Sequence, residues 1–261
     1  MAYFVPVDDP ADERIADFTD LRNKDPRHFL VAEGALAVRH LIQSPYGIRS
    51  LLVTDRGRRA LEPDLDGVDA PVFVVSQPLM ATICGFNFHR GALAAADRLP
   101  LLRLSDLLRT VDGPVLVVEG VNDQENLGAL FRNAAAFGAG CVVLDPTCTD
   151  PLSRRCIRVS VGNALRVPFT RADEWPGALR ALQEHGYEVL ALTPSAAAEP
   201  IDAVMPRRRQ ALLVGAEGPG LSGAALGAAD RRVRVTLAGG VDSLNVATAA
   251  AIALHRLMPP G

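Results

Sequence analysis

The chain has 261 residues and one lysine, Lys24; every other basic residue is arginine. Positive charge is not in excess, since 27 Lys+Arg face 30 Asp+Glu for a formal net charge of −3. A binder that relies on a strongly basic surface is therefore excluded. Arginine is the planar, permanently charged fork that matches phosphate, although such a bias also arises from the nucleotide composition of a gene. Aromatic residues make up only 5%, so the core must be built from Ala, Val and Leu. The four cysteines, Cys84, Cys141, Cys148 and Cys156, form no C-x-x-C pair and no Cys/His cluster. Neither a zinc site nor a disulfide framework is expected, and Cys141 in the apolar run Cys141–Leu144 reads as a buried structural thiol. No metal is expected. The Ala-rich stretch Ser243–Leu254 falls far short of the roughly 18–20 apolar residues of a membrane span. The N-terminus is acidic (Asp8, Asp9, Asp12, Glu13) and reads as neither a secretion signal nor a transit peptide. The expectation is a soluble cytoplasmic protein with no membrane association.

What is present is apolar: hydrophobic residues are 49% and charged residues 22%, enough to bury the core of one large domain or two ordinary ones. The pattern changes near residue 100. Before it, residues 28–41 carry apolar residues at helical spacing. Ile48–Val53 and Val72–Val75 read as short strands separated by a polar loop with Arg56, Arg58 and Arg59, and Ser76–Ile83 as a helix. Asp97–Leu101 and the turn at Asp112-Gly113-Pro114 bracket a connecting segment. Beyond it, strands (Val115–Val118, Cys141–Leu144, Glu188–Leu192, Ala211–Val214, Arg232–Leu237), several of them continuously apolar, alternate with helices at Leu127–Phe137, Trp175–His185 and Leu244–Leu257. This alternation predicts a parallel α/β sheet covered on both faces, with a site at the carboxyl ends of its strands.

Three loops at such ends carry unusual polar residues. The first runs Glu119–Gly128, with Arg132 on the helix after it. Asn126 and Arg132 are six apart and share no helical face, so they can meet only if Asn126 lies in the loop or cap. The second, Gly215-Ala216-Glu217-Gly218-Pro219-Gly220-Leu221-Ser222, has three glycines in six residues, which let backbone approach a ligand. Glu217 argues against a pyrophosphate cradle there. The third runs Leu237–Val246. Asp242 or Ser243 could cap the helix that follows, while Asn245 reads as buried just inside it. No G-x-G-x-x-G follows the first strand, which sets aside a dinucleotide-binding oxidoreductase.

Taken in order, the three loops resemble the three motifs of the SpoU (TrmH) family of RNA ribose 2′-O-methyltransferases, in the SPOUT superfamily. The matching segments are Asn126-Leu127-Gly128-Ala129-Leu130-Phe131-Arg132-Asn133-Ala134, Gly215–Leu221 and Ser243-Leu244-Asn245-Val246-Ala247. Val235-Thr236-Leu237 stands where the family usually has Ile-Pro-Met. Phe29–Gly34 looks like part of the small substrate-binding domain of many members, in the fold of certain RNA-binding ribosomal proteins. The resemblance implies a small N-terminal α/β RNA-substrate-binding domain at 1–98, a linker at 99–111 and a SPOUT methyltransferase domain with a trefoil knot at 112–261.

It further implies S-adenosyl-L-methionine as cofactor, held around Thr193, Gly215, Glu217, Gly220, Val235, Leu237 and Leu244. Arg132 stands where the family has its proposed base or hydroxyl-positioning group; because a guanidinium is a poor base, binding of an RNA phosphate and alignment of the hydroxyl is the favoured role. Asn126 would orient Arg132 or the ribose, Glu217 would hold the second loop by accepting backbone hydrogen bonds, and Ser243 and Asn245 would fix the third loop and the cofactor's carboxylate end. A homodimer through the terminal and first-motif helices is implied, with structured RNA as substrate, ribosomal in preference to transfer RNA. Residues 1–98 hold 11 basic against 14 acidic residues and 99–261 hold 16 of each, so RNA affinity must come from local clusters. Candidates are Arg56/Arg58/Arg59, Arg154/Arg155/Arg158 and Arg207/Arg208/Arg209. The alternative is an RNA-binding or ribosome-assembly protein on the same fold without catalysis.

Overall fold

Gly34 takes a φ of +92°, a conformation that residues with a Cβ avoid, and it cuts the apolar run of residues 28–41 in two. The computed structural model describes residues 3–21, 28–239 and 241–258; Lys24 and Gly240 of the third loop lie outside them. Strand β1 is Tyr3–Pro6, β2 is Phe29–Glu33, and after Gly34 comes helix α1, Ala35–Ile42. The expected helix over 28–41 is thus a strand and a helix, because Leu30, Val31 and Ala32 pair antiparallel with a strand further on. The chain continues as β3 (Ile48–Val53), α2 (Asp55–Leu61), β4 (Pro71–Val74), α3 (Gln77–Cys84) and β5 (Ala92–Asp97). The sheet order is β1-β4-β3-β5-β2, with β1, β4 and β3 parallel and β5 antiparallel to β3 and β2.

The polar loop expected at Arg56, Arg58 and Arg59 is helix α2. Thr54 caps it by accepting from the Gly57 N–H at 3.3 Å, and buried Gly57 and Leu61 tie it down. Ile15, Phe18, Val31, Leu52, Phe73, Met80, Phe88 and Leu93 form the core of this part.

A helix, α4 (Leu104–Thr110), occupies the expected linker, followed by β6 (Val115–Glu119), α5 (Gln124–Ala136) and β7 (Cys141–Leu144). The next segment, with α6 (Arg154–Val159), departs from the expected contiguous block at 112–261. The chain forms two compact units: one takes residues up to Pro100 together with Pro151–Arg166, the other Leu101–Asp150 and Val167 onward. Residues 151–166 belong to the first because Arg154 meets the buried Glu33 carboxylate at 3.2 Å, and His40 Nδ1 lies 2.9 Å from the Val161 carbonyl.

The second unit is completed by β8 (Phe169–Arg171), α7 (Gly177–Glu184), β9 (Glu188–Leu192), β10 (Glu199–Pro200), β11 (Gln210–Gly215), α8 (Gly223–Ala228), β12 (Arg231–Arg234) and α9 (Val246–Leu257). Its sheet runs β10-β12-β9-β11-β6-β7-β8 and every pairing is parallel, as continuous apolar strands require when both faces are covered. Val115, Val117, Val143, Val189 and Leu213 supply the strand side of the core, and Leu179 and Leu182 of α7 pack on them. β12 ends at Arg234 instead of running to Leu237, and α9 begins at Val246, so residues 235–245 form a long third loop.

All four cysteines are free and buried. Burial pushes the Cys84, Cys141 and Cys148 thiols up to about 12, which keeps them protonated and unreactive. Among the described residues no helix is long and apolar enough to cross a membrane, and no group of side chains is suited to hold a metal ion.

Candidate active site

Strands β6 and β11 are neighbours, with Val118 opposite Val214 and Glu119 opposite Gly215, so the first two loops leave the sheet side by side. β12 is separated from β11 by β9. The third loop must therefore cross two strand spacings, about 10 Å, before α9 packs on α5 and β11.

That crossing ends at Asn245, which is the N-cap of α9. Its Oδ1 accepts from the Ala247 and Thr248 N–H groups at 3.0 and 3.2 Å. Its Nδ2 donates to Asn126 Oδ1 at 2.7 Å and to Glu217 Oε1 at 2.5 Å. An asparagine side chain has two acceptor sites and two donor hydrogens, and all four are engaged. One amide thus joins a residue from each of the three loops. Asn245 is exposed, not buried as its place in an Ala-rich segment suggested, and it displaces Asp242 and Ser243 as the cap. Ser243 is exposed and has no hydrogen-bond partner among the described residues.

Asn126 lies within α5, where Asp123 is the cap and accepts from the Asn126 N–H at 2.8 Å. Arg132 sits on the same helix roughly 120° round from it. No hydrogen bond joins the two among the described residues; the Asn126 side chain accepts from Asn245 instead. Arg132 is exposed, with no hydrogen-bond or ion-pair partner among the described residues. Asn133 Nδ2, one position on, donates to the Ala247 carbonyl at 2.7 Å and fastens α5 to α9.

Glu217 accepts from Asn245 and, at 3.4 Å, from the Val246 N–H. It holds the start of α9 instead of its own loop, which corrects the role expected from the sequence. The second loop is closed by the Gly220 N–H donating to the Ala216 carbonyl at 3.0 Å. There a Cβ on Gly215 would stand 2.5 Å from the Gly220 carbonyl carbon and 2.6 Å from Leu221 N. Both are backbone atoms that cannot swing aside. Gly215→Ala is expected to cost about 1–3 kcal/mol of stability, read as a lowered denaturation midpoint with an unchanged slope.

Sequence reasoning missed Glu119. Its buried carboxylate accepts from Trp175 Nε1 at 2.6 Å, from the Ser222 N–H at 2.9 Å and from Ser222 Oγ at 2.7 Å, and so pins the far end of the second loop to β6. An acid closing an otherwise apolar strand was the available signal. Gly220 is exposed, while Thr193, Gly215, Val235, Leu237 and Leu244 are half-buried around these loops. Val235 and Thr236 also line a groove of about 530 Å³ with Phe137, Ile252 and His255.

The candidate RNA-contacting arginines of the first unit divide. Arg56, Arg59 and Arg155 are exposed. The Arg58 guanidinium lies over the Phe4 ring at 5.5 Å, with its Nε buried and unpaired. Arg154 is engaged internally by Glu33 and by the Leu21 carbonyl at 2.8 Å. In the second unit Arg208 pairs with Asp112 at 2.5 Å.

Comparison with known proteins gives a consistent answer. The model of the SpoU rRNA Methylase family matches residues 113–255. A Mycobacterium tuberculosis protein named as an uncharacterised tRNA/rRNA methyltransferase is 47% identical over 260 residues, covering 95% of this chain and 90% of that protein. The Bacillus subtilis 23S rRNA guanosine 2′-O-methyltransferase RlmP is 27% identical over 96% of this chain and 98% of its own. Among solved structures, an AdoMet-bound rRNA methyltransferase from Sinorhizobium meliloti superposes with a TM-score of 0.81 over 97% of both chains at 23% identity, which shows the shared fold. With the family model covering more than half of the sequence and its motif residues meeting at one amide, the chain belongs to the SpoU rRNA methylase family.

Proposed function

We propose that this protein transfers a methyl group from S-adenosyl-L-methionine to a ribose 2′-hydroxyl of structured RNA, ribosomal in preference to transfer RNA, in the cytoplasm. The observation that carries this reading is the Asn245 amide, which draws Asn126, Glu217 and the start of α9 together at the carboxyl edge of the sheet. The name of the B. subtilis relative supports ribose 2′-O chemistry on ribosomal RNA, and the AdoMet bound to the S. meliloti methyltransferase supports the cofactor.

The residues present fit that cofactor. A Cβ on Gly218, Gly220 or Gly239 would stand in open space, so backbone is accessible there. Half-buried Val235, Leu237 and Leu244 add an apolar wall. Leu237 replaces the family's usual methionine with a side chain of similar bulk, and an adenine ring needs that combination of polar backbone edge and apolar surface. Thr193, Gly215, Val235, Leu237 and Leu244 would hold the cofactor, with Glu217 bracing the third loop against the second.

Bound S-adenosyl-L-methionine supplies an electrophilic sulfonium methyl. The protein's share is to place the ribose oxygen in line with that methyl and the sulfur, and to ease loss of the hydroxyl proton. Arg132 cannot act as the base, because a guanidinium stays protonated. Its unengaged donors suit a phosphate, and gripping the phosphate beside the target ribose orients the hydroxyl.

The reading includes a trefoil knot, supported by the route of the third loop from β12 past the end of β9. It also includes a homodimer across α9 and α5, supported by exposed Ile252 on α9 and the groove beside it. Light scattering at micromolar concentration is expected to give the mass of two 27.7 kDa chains; a monomer would contradict the dimer.

Transfer of radiolabelled methyl to separated, unmodified ribosomal and transfer RNA tests the activity. Label is expected in ribosomal RNA, at a linkage resistant to alkali. Label in transfer RNA alone would reverse the substrate preference. None in either, with cofactor bound, would favour the non-catalytic RNA-binding alternative.

A further inference from the structure

We propose that a cavity within the first unit is a seat for a backbone phosphate of the RNA substrate, with Arg56, Arg90 and Arg158 as its ligands. The inference rests on the methyltransferase reading for the identity of the RNA. The cavity, of about 450 Å³, is lined by Glu33, Gly34, Arg56, His89, Arg90 and Arg158, among others. None of these belongs to the three loops of the candidate active site.

The charge arithmetic of this cavity is lopsided. The Glu33 side chain is 4% exposed and meets three guanidiniums: Arg154 at 3.2 Å, Arg158 at 3.5 Å and Arg90 at 3.6 Å. Only the Arg154 contact is a hydrogen bond. Arg154 also donates to the Leu21 carbonyl and lies 5.3 Å from the centre of the Phe86 ring. Arg154 is therefore the internal counter-ion, and it balances the one carboxylate.

Arg158 and Arg90 are left with attraction at a distance and with their N–H donors largely unengaged, at 30% and 53% exposure. Arg56 is exposed and has neither hydrogen bond nor ion pair among the described residues. The concavity is thus lined by three guanidiniums, Arg56, Arg90 and Arg158, beside one carboxylate that Arg154 already balances, in a chain whose net charge is −3. Each guanidinium presents five donors in a rigid fork suited to two phosphate oxygens at once. A surplus of this kind on a concave wall calls for an anion.

The local backbone agrees. α1 starts at Gly34 with no side-chain cap, and Gly34, Ala35, Leu36 and Ala37 line the cavity, so first-turn amides lacking helical partners stand at its wall. A Cβ on Gly34 would press Arg90 Cδ at 3.3 Å; its absence lets the Arg90 stem lie against the backbone. The Glu33-Gly34 pair, conspicuous in the sequence but outside the catalytic loops, is thereby given a role in building the seat.

The test uses the full chain and unmodified ribosomal RNA, with binding measured across a salt series. Arg56→Gln, Arg90→Gln and Arg158→Gln are each expected to weaken RNA binding about tenfold, the scale of one charged hydrogen-bonded contact. Each should lower the slope of log affinity against log salt, and the triple variant by no more than about 0.7–0.9, the change expected when one phosphate is no longer neutralised. The same charge change at exposed Arg180 of α7, far along the sequence and outside the cavity, is the control. A cooperative thermal melt followed by circular dichroism, with the amplitude of the unaltered protein, reports that each variant is folded, and Arg56, which has no internal partner among the described residues, keeps the test valid if Arg158→Gln fails to fold.

Unchanged affinity and slope in the folded cavity variants would overturn the proposal, as would an equal loss in Arg180→Gln. Inorganic phosphate, titrated by calorimetry, separates the two sources of the anion. Phosphate binding that the variants lose while RNA affinity is unaltered would make this a free-anion site and overturn the RNA assignment. Variant-sensitive RNA binding without methyl transfer by the unaltered protein would uphold the seat and remove the methyltransferase reading.

Discussion

Arg132→Ala is expected to abolish methyl transfer while leaving affinity for S-adenosyl-L-methionine within a few-fold. The side chain stands exposed on α5 and touches no polar partner among the described residues, so its removal should cost the fold less than about 0.5 kcal/mol. A rate loss can then be assigned to chemistry and not to collapse of the site. Misplacing a reacting group by about 1 Å costs roughly 10²-fold, so a loss of at least that size is expected, and a single-turnover assay at saturating RNA and cofactor reads it directly. Arg132→Lys is expected to recover only a minor part, because an ammonium is a point charge and cannot grip two phosphate oxygens as a fork does. Unchanged turnover in the alanine variant would remove Arg132 from the mechanism.

Asn245→Asp should produce the second large effect, with a signature that separates geometry from stability. Aspartate caps a helix about as well as asparagine, so α9 keeps its start and the melting temperature should move little. What disappears is both donations from Nδ2. In their place a carboxylate faces the Glu217 carboxylate, which lies 2.5 Å from the present amide nitrogen. The second and third loops should part, and cofactor affinity should fall roughly tenfold or more, equivalent to about 1.4 kcal/mol. Adding Glu217→Gln reverses the sense of the bond: the new amide at position 217 donates to the new carboxylate at position 245, and the Asn126 amide can turn to donate as well. The double variant is expected to regain most of the affinity. If calorimetry shows the single variant binding cofactor normally, the junction does not organise the site.

Much of this was legible because it is local. Val115–Val118 and Val189–Leu192 are uninterrupted apolar runs, and each lies in a strand within a residue of its expected bounds. The three motif segments lie at strand ends, as their polar residues after apolar runs required. What was hidden depends on distant partners. Phe29–Glu33 fits helical spacing as well as a strand, and only pairing with β5 decides. β5 itself, Ala92–Asp97, is mostly alanine, which has little strand preference; it becomes a strand because Ala92–Ala96 are fully buried between β3 and β2. The exposure of Asn245 could not be read from an Ala-rich helix, since it follows from the third loop crossing β9. Sequence order places residues 151–166 with the second unit, whereas the buried carboxylate that positions Arg154 is Glu33, 121 positions earlier.

That last contact sets a timetable for synthesis. A ribosome releases the chain from its N-terminus, so all five strands of the first sheet are available once residue 97 has emerged. At that point Glu33 lacks Arg154, its hydrogen-bonded partner in the finished unit, and α6, which packs on β2, has yet to be made. The nascent unit must wait while β6, α5 and β7 are translated, and it closes only after Arg166 has left the tunnel. An N-terminal fragment ending at Pro100 is for the same reason an unfinished object, and the gene offers no single cut that yields the first unit whole.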